Sequence, residues 1–322
     1  MVICFLEQSK RSTPNAQRPT LNFGEATSAT ELVDRPAIFS RTARSVRYVE
    51  DMQARHIRWL PILLAALYFG YQYFSSEKFV NPETGRKSHV GMSEQQETAL
   101  GVQSYQKVLS ETQAIQSGPQ LELVKRVASR LAGATGKAGA GFQWQVSLVQ
   151  DKQVNAFCLP GGKIVVYTGI LPVAQNEAAL ATVLGHEMAH ATSRHGSQRV
   201  FEQNLAQTAM SGVAMSLSNM DYDKQRAVMG ALGAGAQYGV LMPFGRKHES
   251  EADQIGLTYM ARAGFDPQES IRFWKRMENT GGNQPPEFLS THPSHGTRVQ
   301  QLEALMPKAM EEYNKARATS GT

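Results

Sequence analysis

The chain has 322 residues, enough for one or two domains with a proper core. Apolar residues make up 41% and charged residues 19%, and the formal net charge of +5 is spread out: residues 1–58 hold nine Lys/Arg against six Asp/Glu, the rest twenty-four against twenty-two. No basic stripe interleaved with aromatics occurs, which argues against nucleic acid as a partner, and two cysteines without a CxxC, Cys4 and Cys158, exclude a thiolate metal site and a disulfide framework.

Residues 1–58 read as a disordered basic N-terminal arm, rich in Ser, Thr, Arg and Pro and without sustained periodicity. Its acids, among them Glu7, Glu25, Glu31 and Asp34, weigh against a mitochondrial transit peptide. Met52, followed by a basic stretch and then an apolar run, also has the look of a start. Residues 59–74 are apolar all round. As a helix they span roughly 24 Å, short of the ~30 Å hydrocarbon core. Trp59 at one end and Tyr71, Tyr73 and Phe74 at the other suit two interfaces. A buried helix is the plain alternative; a cleaved signal peptide fits poorly, because bulky aromatics stand where small residues should precede the cut. The expectation is one transmembrane anchor over 59–74 and a linker over 75–90. Arg44, Arg47, Arg55 and Arg58 before it, against Lys78, Arg86 and Lys87 after it, favour a cytoplasmic N-terminus.

From Gly91 the pattern is that of a compact, mainly helical α+β domain over 91–322. Ser93 can cap a helix running to about Glu111, residues 120–131 form a second, and the Gly-rich stretch 133–141 is a loop. Residues 142–149 alternate as a strand; 154–159 and 163–168 are two more, joined by Pro160-Gly161-Gly162 as a hairpin turn. These make a small antiparallel sheet, with 163–168 as an edge that could align an extended peptide. The next helix starts at Asn176 and stops at Gly196. Residues 200–245 are helical and rich in Ala, Gly, Met and Ser. Their glycines at 230, 233, 235 and 239 suit close packing, on the preceding helix or against a membrane.

The helix from Asn176 carries His186-Glu187-Met188-Ala189-His190. Residues four apart lie one above the other, so His186 and His190 can point at one ion, with Glu187 placed to reach a water beside it. Two imidazoles and a carboxylate base suit the activation of water by zinc near neutral pH. Ser193 and Gly196 stand where a metzincin would have Gly and a third His, so that completion is excluded. His195, about 140° round the helix from His190, faces away from the metal and reads as an outer or helix-end residue. The third ligand then comes from a later helix over 246–263, whose buried stripe is Ala252, Ile255, Gly256, Tyr259, Met260 and Ala263. Glu249 and Asp253 lie four apart along one edge of that stripe, which assigns Glu249 as ligand and Asp253 as the group that orients a ligating His. Glu251 and His248 are expected toward solvent.

The segments Thr182–His190, Asn155-Ala-Phe-Cys-Leu-Pro-Gly-Gly162 and Glu249-Ser-Glu-Ala-Asp253 resemble the gluzincin family that includes the CAAX-prenyl endopeptidases, HtpX, BepA and LoiP. The closest likeness is to the single-anchor, Oma-type quality-control metalloproteases, over about residues 90–310. The resemblance implies a gluzincin-type zinc domain with one Zn2+ per chain on His186, His190 and Glu249, Glu187 as base, and unfolded or damaged polypeptides as substrates. Cys158 replaces the family's usual small residue, and the chain lacks a second hydrophobic span of HtpX type. Ser290–Arg298 resembles the family's C-terminal His-Pro block. There His292 can approach the zinc or a substrate oxyanion, or sit in a surface turn, and Arg298 can hold the loop. The expected function is a membrane-anchored zinc endopeptidase of protein quality control, single-pass in a bacterial inner membrane with its domain in the periplasm. Self-association as a homo-oligomer stays open. The rival is a chaperone-like assembly factor with a mainly structural zinc.

Overall fold

A computed structural model describes residues 42–237, 241–280, 286–292 and 297–320; residues 1–41, most of the expected arm, lie outside it, as does Gly239. Helix α1, Thr42–Ser75, begins well before the apolar segment, because nothing between Thr42 and Pro61 breaks a helix. A two-stranded antiparallel hairpin follows, β1 (Glu77–Val80) and β2 (Lys87–Val90), where a linker was expected. Then come α2 (Glu94–Glu111), with Ser93 and Gln96 closing a capping box, and α3 (Pro119–Ala134). Strands β3 (Gln145–Val149), β4 (Ala156–Leu159) and β5 (Lys163–Tyr167) precede α4 (Glu177–Thr192), capped by Asn176 Oδ1 on Ala179 N. The rest is helical: α5 (His195–Ser216), α6 (Tyr222–Ala236), α7 (Met242–Arg262), α8 (Glu269–Thr280), a single turn at Glu287–Thr291, and α9 (Arg298–Ser320).

The three-stranded sheet has the order β3-β5-β4, with β5 parallel to β3 and antiparallel to β4. It is therefore mixed, and β5 is the central strand, not the edge expected from sequence. The chain crosses over after β3 to make β4 first, and only then inserts β5 between them. The free edge beside α4 is β4. Its hairpin to β5 turns at Gly161 and Gly162, with φ of 77° and 86°, a region open to glycine at no steric cost.

Helix α4 is buried on nearly every face, among the sheet, α3, α7 and α8, which is why it is apolar all round except at the site. Its contact with α7 is backbone on backbone. A Cβ added to Gly256 would lie 2.7 Å from His186 N, and one added to Gly185 would lie 2.9 Å from Gly256 O. Helix α4 also ends earlier than expected. Arg194 adopts a left-handed φ of 55°, so Gly196 lies inside α5 rather than capping α4. That conformation is held by its buried guanidinium, which donates to Glu97 Oε1 (2.9 Å), Glu77 Oε1 (2.6 Å) and Met92 O (2.6 Å).

Helix α1 lies along α5, with Gly212 opposite Ala65 and Pro61, and Thr208 Oγ1 donating to Gln72 Oε1 at 3.2 Å. Its other side exposes Trp59, Leu63, Leu64, Leu67, Tyr71 and Phe74. Among the described residues no helix is long and apolar enough to cross a membrane. Helix α6 has no buried residue, and Gly230 and Gly235 meet nothing within 4 Å, so these glycines do not serve packing on α4.

The glycine crossing is testable. Gly256→Ala should cost about 1–3 kcal/mol, because neither backbone can withdraw. Gly133→Ala, in α3 with open space around it, should be neutral or stabilise by up to about 1 kcal/mol. Urea midpoints of the two variants decide it, and equal midpoints would refute the close-contact account.

Candidate metal centre

The crossing of α4 and α7 at Gly185 and Gly256 sets His186 and His190 against Glu249. His186 Nε2 lies 3.1 Å from His190 Nε2 and 3.3 Å from Glu249 Oε2, and His190 Nε2 lies 3.4 Å from Glu249 Oε1. His292, following the Glu287–Thr291 turn, brings Nδ1 to 3.1 Å from Glu249 Oε1 and 3.4 Å from His186 Nε2. Its ring stacks on Phe288. One donor atom from each of His186, His190, Glu249 and His292 falls within 4.8 Å of the others. Three imidazoles and one carboxylate, convergent and buried but for the partly exposed His190, form a donor set that fits zinc.

The surrounding groups hold these donors in place. Asp253 Oδ1 is 2.9 Å from His186 Nδ1, so the face of His186 opposite the cluster meets a carboxylate. Arg298 donates from Nε to Asp253 Oδ2 (2.7 Å) and from a terminal nitrogen to Glu249 Oε2 (2.9 Å), with its guanidinium 4.0 Å over the Trp274 ring. Arg298 thus fixes both carboxylates, rather than only the loop before it. Glu187 is buried beside His292, whose Nε2 is 3.4 Å from Glu187 Oε1, and Glu187 Oε1 makes no hydrogen bond.

Two expectations are corrected. Glu251 and His248 are buried, not solvated. The β1–β2 hairpin covers that side of α7: Asn81, Thr84 and Arg86 all donate to the Glu251 carboxylate, at 3.1, 2.6 and 2.8 Å. His248 stacks on His195 and sits 3.1 Å from Gln198 Oε1. His195 itself is close to the site as an outer group, its Nδ1 2.9 Å from His190 Nδ1. The sequence carries no local signal for the hairpin's part, since its residues are more than a hundred positions from those they touch.

The protonation balance follows from this packing. Burial disfavours a charged ring at His186, but Asp253 and Glu249 outweigh it and raise its pKa to about 10. Burial, with the neighbouring histidines acting against Glu249, holds His190 well below its usual value. Burial would push Glu249 up, yet its electrostatic interactions with the His292 and His190 rings and its hydrogen bonds with His186 and His292 keep it well below the carboxylate range. Burial raises Glu187, opposed by His292 and His186, the direction that suits a general base.

The sequence model of peptidase family M48 matches residues 120–306. The mitochondrial metalloendopeptidase OMA1 of Schizosaccharomyces pombe is 33% identical over 245 residues, 74% of this chain and 69% of that protein. Its namesake from Saccharomyces cerevisiae is 33% identical over 257 residues, 74% of this chain and 72% of that protein. The beta-barrel assembly-enhancing protease of Yersinia pestis is 31% identical over 223 residues, 68% of this chain and 45% of that protein.

Acid should loosen this region through His248. Burial, with His195 and Arg86 nearby, lowers its pKa to about 3. The unfolded chain takes up that proton below roughly pH 6.5, and the folded chain refuses it until about pH 3. This contribution is complete above roughly pH 6.5 and is lost on acidification, by up to about 1.4 kcal/mol per pH unit. Urea denaturation at pH 7 and pH 5 should show a shallower loss for His248→Gln than for the parent; equal losses would count against a neutral buried His248.

Proposed function

The chain belongs to peptidase family M48 and is a metalloendopeptidase, and on that premise we propose that it binds one zinc ion through His186, His190 and Glu249 and cleaves unfolded or damaged polypeptides at a membrane. The observation that carries the reading is Glu187, a buried carboxylate with an unpaired oxygen beside four convergent metal donors. A purely structural metal has no use for a base there. Zinc bound at these residues supplies the Lewis acidity that brings the deprotonation of water to about pH 7. Glu187 takes the water's proton at Oε1 as the oxygen attacks the peptide carbonyl carbon, then returns it to the leaving nitrogen. His292 faces both the cluster and Glu187, in position to donate to the developing oxyanion. Asp253 and Arg298 act on the ligands.

Substrate alignment is assigned to the β4 edge. Asn155 O and Leu159 O accept bonds on the β5 side, so the antiparallel alternation turns the main chain of Ala156 and Cys158 outward, and Cys158 N–H reaches Glu187. An extended peptide adding to this edge would pass directly over the base, and only an unfolded segment can do so. The name of the Yersinia pestis relative, a beta-barrel assembly-enhancing protease, supports an envelope setting. Attachment to the membrane rests on the exposed apolar side of α1, and the flanking Arg and Lys residues support an N-terminus on the cytoplasmic side, which in a bacterial inner membrane puts the domain in the periplasm. The rival reading, a chaperone-like assembly factor with a structural zinc, draws on the unburied helix α6.

Two outcomes separate these readings. Glu187→Gln should retain zinc and lose cleavage of unfolded casein by about 10²-fold or more; undiminished cleavage would end the proteolytic mechanism. Leu63→Asp combined with Leu67→Asp should shift the protein from the membrane pellet to the supernatant after alkaline carbonate washing. If the parent itself is already in the supernatant, attachment through α1 is wrong.

A further inference from the structure

The two histidines of the HExxH pair are supported unequally. His186 meets the Asp253 carboxylate directly, whereas the Nδ1 of His190 faces a second imidazole, Nδ1 of His195, at 2.9 Å. The far nitrogen of that ring, His195 Nε2, lies 2.9 Å from Glu251 Oε2. His195 and Glu251 are both buried. We propose that Glu251 and His195 form a two-residue relay that fixes the tautomer and orientation of His190, and that the β1–β2 hairpin belongs to the metal centre because it holds Glu251. The proposal rests on the zinc assignment above.

Proton placement in the relay has one consistent solution. His190 presents Nε2 to the cluster, and a nitrogen that ligates a metal must carry a lone pair. The neutral ring then bears its hydrogen on Nδ1 and donates to His195 Nδ1. That acceptor leaves the His195 hydrogen on Nε2, which donates to Glu251. Each step needs the next, and the chain ends on a carboxylate, as an ordinary His–carboxylate pair does with one ring fewer.

Every acceptor position of Glu251 is taken, by the hairpin on one side and by His195 on the other. A carboxylate offers about four acceptor positions. Oε1 receives Asn81 and Thr84, and Oε2 receives Arg86 and His195, so none is left to reach the cluster. Arg86 extends the clamp to Gln198, which in turn holds Ser193 O at the end of α4. Asn81 also donates to Ser193 Oγ at 2.9 Å. The hairpin lies outside residues 120–306, the span of the family match, yet it determines where Glu251 can sit.

The test measures zinc binding by competition with a chromophoric chelator, the absorption spectrum of the cobalt-substituted protein, and the melting temperature of the metal-free protein. His195→Phe and Glu251→Leu should weaken zinc binding about 10- to 100-fold and change the cobalt spectrum. Glu251→Gln, which keeps an acceptor for His195, should lose less than Glu251→Leu. Arg86→Gln, at a side chain one-third exposed, should shift zinc affinity in the same direction by a smaller factor, and it stands in if a core variant fails to fold. Glu269→Gln, a buried carboxylate held by Arg272 and Arg276 on α8, should lower the melting temperature with zinc affinity unchanged. Variants of the relay that melt lower but bind zinc as the parent does, with the same cobalt spectrum, would overturn the relay alone. A parent that binds no zinc would overturn the metal assignment with it.

Discussion

Two helix backbones meet at Gly185 and Gly256 with no room for a single Cβ between them, and the geometry of the site follows from that contact. Glycine immediately before His186 lets α7 approach until Glu249, seven residues before Gly256 and so two turns along the helix, comes level with the imidazoles of α4. Side chains of ordinary size would push the helices to the more usual 8–10 Å separation and carry the carboxylate out of reach. The polar centre thus depends on an apolar fact, the dense packing of α4 within the core.

Such packing imposes a charge problem, because several imidazoles and carboxylates are removed from water together. The fold answers it by giving each carboxylate its own cation or donor set. Arg298 serves Glu249 and Asp253; Arg86, with two neutral donors, serves Glu251. Glu187 is the exception, with one oxygen unpaired. Among the described buried carboxylates it alone keeps an oxygen without a partner, and it lies next to the β4 edge.

Features set by neighbouring residues were legible in the sequence. The Asn176 cap, the Ser93 cap and the Gly161-Gly162 turn each need only three or four consecutive residues, and the helical spacing was enough to bring Glu249 and Asp253 to one side. Features set by distant segments were not. Glu251 and His248 looked solvated because the hairpin that covers them has neither long strands nor a strong apolar alternation. The order β3-β5-β4 is invisible to a pattern that records only which runs are strands, so that pattern does not tell the central strand from the edge. The end of α4 is not legible because its stop signal is a left-handed arginine rather than a glycine, with a side chain held by the distant Glu77, Glu97 and Met92.

Between the end of α1 at Ser75 and the start of β1 at Glu77 stands a single residue, Ser76, and it is itself tied down, by its backbone to Gln72 and by its hydroxyl to His89. A joint that short leaves no slack. Whatever fixes α1 in place fixes the orientation of the His186–His190–Glu249 cluster with it, like a lamp on a rigid bracket rather than on a cord. With α1 attached to a membrane as proposed, the cluster would stand at one height above it, and a chain would be cut only where an unfolded segment reaches that height.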